Sequence, residues 1–167
     1  YKSMLRRVIV SSFVLSSLIM PSQAADVQHI YLEDMTWMEI RDRINGGATT
    51  AIIPVGGTEQ NGPHMVTGKH NIIVRYTAGE IAKRLGNTLV APVIAYVPEG
   101  RIDPPEGHMQ FAGTMSVSED TFMRLLEDAA ASLKQHGFRT ICIIGDHGGT
   151  QAAQAQVADR LTRMWQS

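Results

Sequence analysis

The sequence predicts an α/β fold in which helices cover both faces of a mainly parallel sheet. Apolar runs of strand length alternate with amphipathic runs of helix length, in the order helix, strand, helix, strand, helix, strand, helix. That alternation is typical of βαβ units, whose right-handed crossovers bring the carboxyl ends of the strands to one edge of the sheet. With 167 residues, 44% of them hydrophobic, the chain has enough material for one domain with a sizeable core.

Residues 1–24 are predicted to lie outside this domain. Two arginines lie within residues 4–7, residues 8–20 are mostly apolar, and residues 21–24 read P-S-Q-A. That order is typical of a secretory signal peptide, so we expect cleavage after residue 24 or the next one, export to the periplasm or medium, and a domain over residues 25–167. The alternative is a single-pass anchor, for which the apolar run is short. Residues 1–3 are interpreted as an upstream translated extension.

Capping residues and apolar spacing predict the first helix and strand. Thr36 and Glu39 form the T-x-x-E pattern of a capping box, and Gly46 follows the last helical residue. The run Ala48–Val55 is apolar and partly β-branched, which indicates a strand buried on both faces.

The middle of the chain repeats this order. A helix is predicted over Asn71–Leu85 and closed by Gly86, followed by a strand over Thr88–Ile94 that Pro92 places at an end or edge of the sheet. The loop Tyr96–Gly113 is long and rich in proline and glycine, and such loops are uncommon in compact domains unless they have a function.

The last third of the chain supplies the remaining elements. Either Ser118 or Ser116 caps a helix with a clear apolar stripe. Thr140–Ile144 is predicted as a third buried strand and Gln151–Trp165 as a final helix. Cys142 lies within the strand, where a free cysteine is expected to pack in the core.

Two polar loops follow the two most apolar strands. The first reads G-G-T-E-Q-N-G-P-H-M-V-T-G-K-H over Gly56–His70, and the second reads G-D-H-G-G over Gly145–Gly149. Ligand sites in open parallel sheets form outside the carboxyl ends of the strands, so both loops are expected to meet there. Glu59, His70 and His147 are the predicted metal ligands, because imidazole and carboxylate bind zinc and manganese.

Each predicted ligand also has a plain structural alternative. Glu59 can cap the amides of its own loop, His70 can lie in solvent at the start of a helix, and His147 can be a turn residue after its strand. The glycines beside His147 favour the close approach of another group to the backbone.

Four further residues are candidates for other roles. Asp146 is predicted to orient a metal-bound imidazole, or is a turn residue at the end of the strand. His64 is a candidate general acid or base, because histidine titrates near neutral pH, or is bonded to the loop backbone. Asn61 and His108 are assigned to substrate binding, with a neighbouring subunit or solvent as the alternative for His108.

Composition and absent motifs argue against several functions. A formal net charge of -1 and 6% aromatic residues favour neither nucleic-acid binding nor, after signal cleavage, binding to an anionic membrane. The sequence has no G-x-S-x-G elbow, no G-x-x-x-x-G-K-[ST] loop and no C-x-x-C pair. A small molecule is therefore the expected partner.

Three motifs, in the same order, resemble the creatininase (creatinine amidohydrolase) family. I-I-P-V-G-G-T-E-Q-N-G-P-H-M at Ile52–Met65 is similar to the family's P-x-G-S-x-E-Q-H-G-P-H-L-P, and H-M-Q-F-A-G-T at His108–Thr114 is similar to H-x-x-F-P-G-T. The segment His136–Gly149 ends in G-D-H-G-G, where the family has N-G-H-G-G. The resemblance extends from about Trp37 to the end of the chain.

The resemblance implies a three-layer α/β fold and a hydrolase that cleaves cyclic or linear amide C–N bonds with metal-bound water. It also implies a small-molecule amide substrate and a homo-oligomer, often a hexamer. Glu59 and His147 fall on metal-binding positions of the family. Asn61 replaces a usual histidine and His70 a usual bridging aspartate, so we expect one zinc or manganese ion per subunit, or a rearranged site that recruits Asp146.

The length of the chain leaves its activity open. Family domains continue past the G-H-G-G helix, so the chain is expected to be an N-terminal portion with an incomplete sheet and pocket. The alternative functions are a non-catalytic periplasmic module that binds a metal or small molecule, and an inactive fragment of a longer hydrolase.

Overall fold

Helices and strands alternate in the predicted order over residues 29–166, which the computed structural model describes. The predicted signal peptide, residues 1–24, lies outside these residues. The elements are α1 (Trp37–Asn45), β1 (Thr50–Val55), α2 (Lys69–Leu85), β2 (Thr88–Val90), α3 (Glu119–Gln135), β3 (Thr140–Gly145) and α4 (Gln151–Gln166), with short 3₁₀ turns at Leu32–Asp34, Gly107–Gln110 and Gly148–Thr150. Among the described helices, none has the length and apolar composition needed to cross a membrane.

The three strands form one parallel sheet in the order β2-β1-β3, with β1 in the centre. Thr50 of β1 lies opposite both Thr88 of β2 and Thr140 of β3. The pairing of β1 with β3 continues to Val55 and Gly145, where both strands end. The two polar loops therefore start side by side at one edge of the sheet.

Helices cover both faces of this sheet, which confirms the predicted three-layer α/β fold. Successive residues of a strand point to opposite faces. On one face Ile52 packs against Ala78 and Ala82 of α2. On the other face a larger cluster joins the strands to α3 and α4, and its members include Ala51, Ile53, Val55, Phe122, Leu126 and Val157. The strands are thus held from both sides, which gives the loops a rigid base.

Local signals at the helix ends agree with the prediction. The Thr36 side chain accepts a hydrogen bond from the backbone N–H of Glu39, and the Glu39 carboxylate accepts one from the N–H of Thr36 at 2.7 Å, which completes the capping box. Ser118 rather than Ser116 caps α3, because its hydroxyl accepts a backbone N–H of the first turn. Gly86 ends α2 in the left-handed conformation, with φ at 76°.

Three element boundaries differ from the prediction by two residues or more. β1 begins at Thr50, because the N–H of Ala48 still bonds to the end of α1. α2 begins at Lys69, so His70 lies in the first turn of a helix rather than in the preceding loop. The ladder of β2 ends at Val90, and the chain beyond it returns to β1 only through an isolated bridge.

The prediction that Cys142 packs in the core is wrong. Cys142 is exposed, because β3 is an edge strand of the described sheet. Its neighbours Ile141 and Ile143 point to the other face and pack against the core. The apolar run predicted the strand itself, but it carried no information about the position of that strand in the sheet.

Candidate metal centre

Four ionisable side chains meet at the carboxyl edge of β1 and β3. Glu59 comes from the loop after β1, His70 from the first turn of α2, Glu99 from the connection after β2 and His147 from the loop after β3. Glu59, His70 and Glu99 are only 4%, 8% and 5% exposed, and His147 is partly buried. Such groups are rarely buried unless they are paired or bind an ion.

Glu59 lies at the centre of this cluster. Its Oε1 is 2.9 Å from His70 Nε2, and its Oε2 is 2.9 Å from His108 Nδ1 and 3.5 Å from His147 Nε2. The carboxylate therefore faces three imidazoles rather than the amides of its own loop.

Glu59, His70 and His147 present ligand atoms that all lie within 4.8 Å of one another. The rings of His70 and His147 meet edge to face, with centroids 5.1 Å apart. Zinc holds its ligands at about 2.0–2.2 Å in a tetrahedron, which places two ligand atoms about 3.4 Å apart. His70 Nε2 lies 2.9 Å from Glu59 Oε1, and His147 Nε2 lies 3.5 Å from Glu59 Oε2, so these two separations involve different oxygens. Because one ligand atom from each residue lies within 4.8 Å of the others, small side-chain adjustments would bring the three around a single ion.

Unpaired polar atoms concentrate in the same place. Glu99 Oε1 and His147 Nδ1 are buried and have no hydrogen-bond partner within residues 29–166. Buried polar atoms are normally satisfied, so a group of exceptions calls for a partner. A divalent cation fits two carboxylates and two imidazoles better than a neutral ligand does.

Charges within the cluster shift the pKa values of its members. The hydrogen bond with Glu99 raises the pKa of His147 above its usual value against the effect of burial, and the charges of Glu99 and Glu59 add to the rise. Burial acts to raise the pKa of Glu59, but hydrogen bonds with Glu99 and His70 and the charges of His108 and His147 bring it below its ordinary value. The cluster therefore favours an ionised Glu59 beside positive charge.

Asn71 fixes the loop that carries Glu59. Its Oδ1 accepts the N–H of Gly57 at 2.9 Å, and its Nδ2 donates to Thr58 Oγ1 at 3.2 Å. Because Asn71 follows His70 in α2, the same helical turn supplies a site residue and holds the loop that carries Glu59 in place.

Asp146 lies against His70 rather than against its sequence neighbour His147. Asp146 Oδ2 is 2.9 Å from His70 Nδ1. When Nδ1–H donates to this carboxylate, Nε2 is the ring atom left to bind an ion. In the orienting role predicted for it, Asp146 would therefore act on the ring of His70.

The remaining predicted residues are more exposed. His108, which pairs with Glu59, also has its Nδ1 3.3 Å from Gln60 Nε2. Asn61 donates from Nδ2 to the carbonyl oxygen of Glu59 at 3.0 Å, so it supports the loop. His64 is exposed and forms no hydrogen bond or ion pair within the described part of the chain. Its catalytic role stays a prediction.

Glu99 is the site residue that sequence reasoning missed. Its Oε2 is 3.1 Å from His147 Nε2. The one available signal was an acidic residue between Pro98 and Gly100 in a long loop of the kind that often has a function. Its approach to the site depends on contacts between distant segments, the Val97–Ser116 and Thr58–Met115 bridges.

Comparisons with known proteins agree with this site and fold. The sequence profile of the creatininase family, described as creatinine amidohydrolase, matches residues 33–167. The chain is 32% identical over 120 residues to 3-dehydro-scyllo-inosose hydrolase of Thermotoga maritima, which covers 71% of this chain and 36% of that protein. It is 27% identical over 118 residues to creatinine amidohydrolase of Pseudomonas putida, which covers 71% and 45%.

The fold is shared with solved creatininases. A crystal structure of creatinine amidohydrolase superposes with a TM-score of 0.73 at 24% identity over 83% of this chain and 53% of the other, and a manganese form of creatininase gives the same values. The chain spans less than half the length of the two curated relatives. Since the family profile covers most of its residues, the chain belongs to the creatininase family.

Proposed function

We propose that this chain carries the metal site of a hydrolase that cleaves amide C–N bonds in small molecules, cyclic or linear. The observation that carries the proposal is the largely buried group of Glu59, His70 and His147, whose ligand atoms lie within 4.8 Å of one another. Membership of a family that includes a creatinine amidohydrolase supports the choice of an amide substrate.

One zinc or manganese ion per subunit is the proposed cofactor. A divalent ion in such a site lowers the pKa of water and polarises a carbonyl group, which is the chemistry that amide hydrolysis needs. Glu59, His70 and His147 would hold the ion, and Asp146 keeps the His70 ring in its orientation.

His108 is the proposed substrate-binding residue among the described groups. Its side chain is 42% exposed although its Nδ1 contacts the buried Glu59 carboxylate. A substrate arriving from solvent therefore reaches His108 before it reaches the buried ligands. In that position the imidazole can form a hydrogen bond with a bound amide.

Metal content and hydrolysis together test this function. Protein loaded with zinc or manganese is expected to retain about one ion per chain by elemental analysis, and His147→Ala to lose it. The loaded protein is expected to hydrolyse at least one of a panel of lactams, cyclic ureas and linear amides, while chelated protein does not. One retained ion without turnover on any of these would favour a metal-binding module, and no retained ion would contradict the metal site.

Export and self-association complete the proposal. The signal-like segment at residues 1–24 supports export to the periplasm or medium. Large apolar side chains that are exposed on α2, Ile72 and Tyr76 among them, support a homo-oligomer. The family resemblance supports a hexamer. Light scattering after size exclusion is expected to give a mass of several chains, and a monomer at micromolar concentration would contradict it.

A further inference from the structure

We propose that Glu99 is a fourth protein ligand, so that the ion is held by two carboxylates and two imidazoles. This inference rests on the metal site proposed above and extends it to a residue outside the Glu59, His70 and His147 group. It is carried by the burial of Glu99, by its unpaired oxygen and by the way the surrounding chain holds it.

Glu99 is the most deeply buried side chain of the cluster. Its side chain is 1% exposed, compared with 6% for Glu59 and 12% for His147. Removing a carboxylate from water costs several kcal/mol unless the charge is paired and its oxygens are bonded. The fold therefore needs a partner for this group.

The described residues pair with only one of the two Glu99 carboxylate oxygens. Glu99 Oε2 is 3.1 Å from His147 Nε2, whereas Glu99 Oε1 is buried without a hydrogen bond. No lysine or arginine in residues 29–166 forms an ion pair with it. Glu59 Oε2 also lies 3.5 Å from His147 Nε2, so both carboxylates face the same imidazole nitrogen. A cation between them would satisfy both.

The charge balance of the site also favours Glu99 as a ligand. A divalent ion held by Glu59 and two neutral imidazoles would have only one negative charge among its direct ligands, since the Asp146 carboxylate lies behind His70 and is partly exposed. A Glu99 carboxylate bound to the ion would supply the second negative charge. A neutral site costs less to bury than a charged one.

The surrounding chain holds this carboxylate in position. The N–H of Glu99 donates to Ser116 Oγ at 3.0 Å, and its carbonyl oxygen accepts the N–H of His108 at 3.1 Å. On the opposite loop, a Cβ at Gly57 would lie 2.5 Å from Glu99 Oε1. The absence of a side chain at Gly57 therefore leaves the space that the carboxylate fills.

Glu99→Gln tests this role, because it keeps the shape of the side chain and removes its charge. The matched control is Glu106→Gln, which changes an exposed carboxylate of the same connection. Zinc affinity is measured by competition with a chromophoric chelator, and cobalt-substituted protein reports the ligand set through its visible absorption spectrum. Glu99→Gln is expected to weaken zinc binding at least about 10-fold and to change the cobalt spectrum, while Glu106→Gln changes neither.

The other outcomes separate this inference from the proposed function. Wild-type protein that binds no zinc would overturn both. Zinc binding that His147→Ala abolishes and Glu99→Gln leaves unchanged would overturn the Glu99 role alone, as would weaker zinc binding with an unchanged cobalt spectrum. If Glu99→Gln does not fold, the crystal structure of zinc-loaded wild-type protein decides: a Glu99 oxygen is expected at about 2.0–2.2 Å from the ion, and a structure with neither Glu99 oxygen within about 2.5 Å of it would overturn the proposal.

Discussion

The two segments that bring carboxylates to the site reach it in different ways. Glu59 follows shortly after the end of β1, and its loop is held by Asn71 in the first turn of the next helix. Glu99 lies well beyond the end of β2, in a connection that returns to the site through bridges between distant segments. The first carboxylate is placed by local structure and the second by tertiary contacts, so changes at the two positions should have different consequences.

The largest effect on zinc binding is expected for a change at Glu59, in the loop after β1. Glu59→Gln should weaken zinc binding by more than about 100-fold, because losing a direct ligand costs more affinity than the about 10–100-fold lost with a supporting residue. Glu59 is also the group that contacts His70, His108 and His147 together. Isothermal titration measures the affinity. Glu80→Gln, on the outer part of α2, is the control, and equal affinities for the two variants would argue against a central Glu59.

Asp146→Asn should have the next largest effect. The amide oxygen can still accept Nδ1–H of His70, but the negative charge that makes the imidazole a better ligand is lost. Zinc affinity is expected to fall by about 10–100-fold with little change in thermal stability. Asp159→Asn, an exposed change on α4, should leave affinity unaltered. A loss of less than about threefold for Asp146→Asn would show that Asp146 does not support the ligand.

Gly57→Ala tests the contact between the two segments. The added methyl group would lie 2.5 Å from Glu99 Oε1 and 3.3 Å from Val97 Cγ2. We expect a loss of about 1–3 kcal/mol in the free energy of unfolding, measured with urea. Gly68→Ala in the same loop meets no atom closer than 3.8 Å and should stay within about 0.5 kcal/mol of wild type. Equal losses in both variants would mean that the two segments are not tightly packed.

The smallest effect concerns pH in metal-free protein. The pKa of His147 is raised in the folded state, chiefly by its hydrogen bond with Glu99, so its stabilising contribution is complete below about pH 6.5, the ordinary histidine value, and is lost as pH rises through the raised pKa. The lowered pKa of Glu59 acts in the opposite sense, and its contribution is lost only as the pH falls into the acid range.

The difference in unfolding free energy between wild type and His147→Gln isolates the contribution of the His147 imidazole. It should shrink as the pH of metal-free samples rises from about 6 to 9. With zinc present the trend should reverse, because a histidine must lose its proton to bind the ion. A difference that does not vary with pH in metal-free samples would contradict the ion pair between His147 and Glu99.

Local signals made much of the fold predictable. The capping box of α1 and the apolar run of β1 depend on neighbouring residues, and both appear as expected. The start of α2 was less visible, because Gly68 at its N-cap offers no side chain for a capping bond. That is why His70 was expected at the end of a loop.

Properties that depend on distant contacts were not predictable. Cys142 belongs to an apolar run like that of β1, yet its exposure follows from the edge position of β3. Glu99 stands apart from every motif, and its place beside His147 follows from the return of a long connection. The approach of Glu59 to His147 could be predicted, because both residues follow strands whose carboxyl ends meet at one edge of the sheet.

Anomalous diffraction from zinc-loaded crystals, collected above the zinc absorption edge, tests the central claim most directly. The expected result is one peak per chain at about 2.0–2.2 Å from Glu59, His70 and His147. A peak bound elsewhere, or none in crystals saturated with zinc, would contradict the assignment of these three side chains as the metal centre.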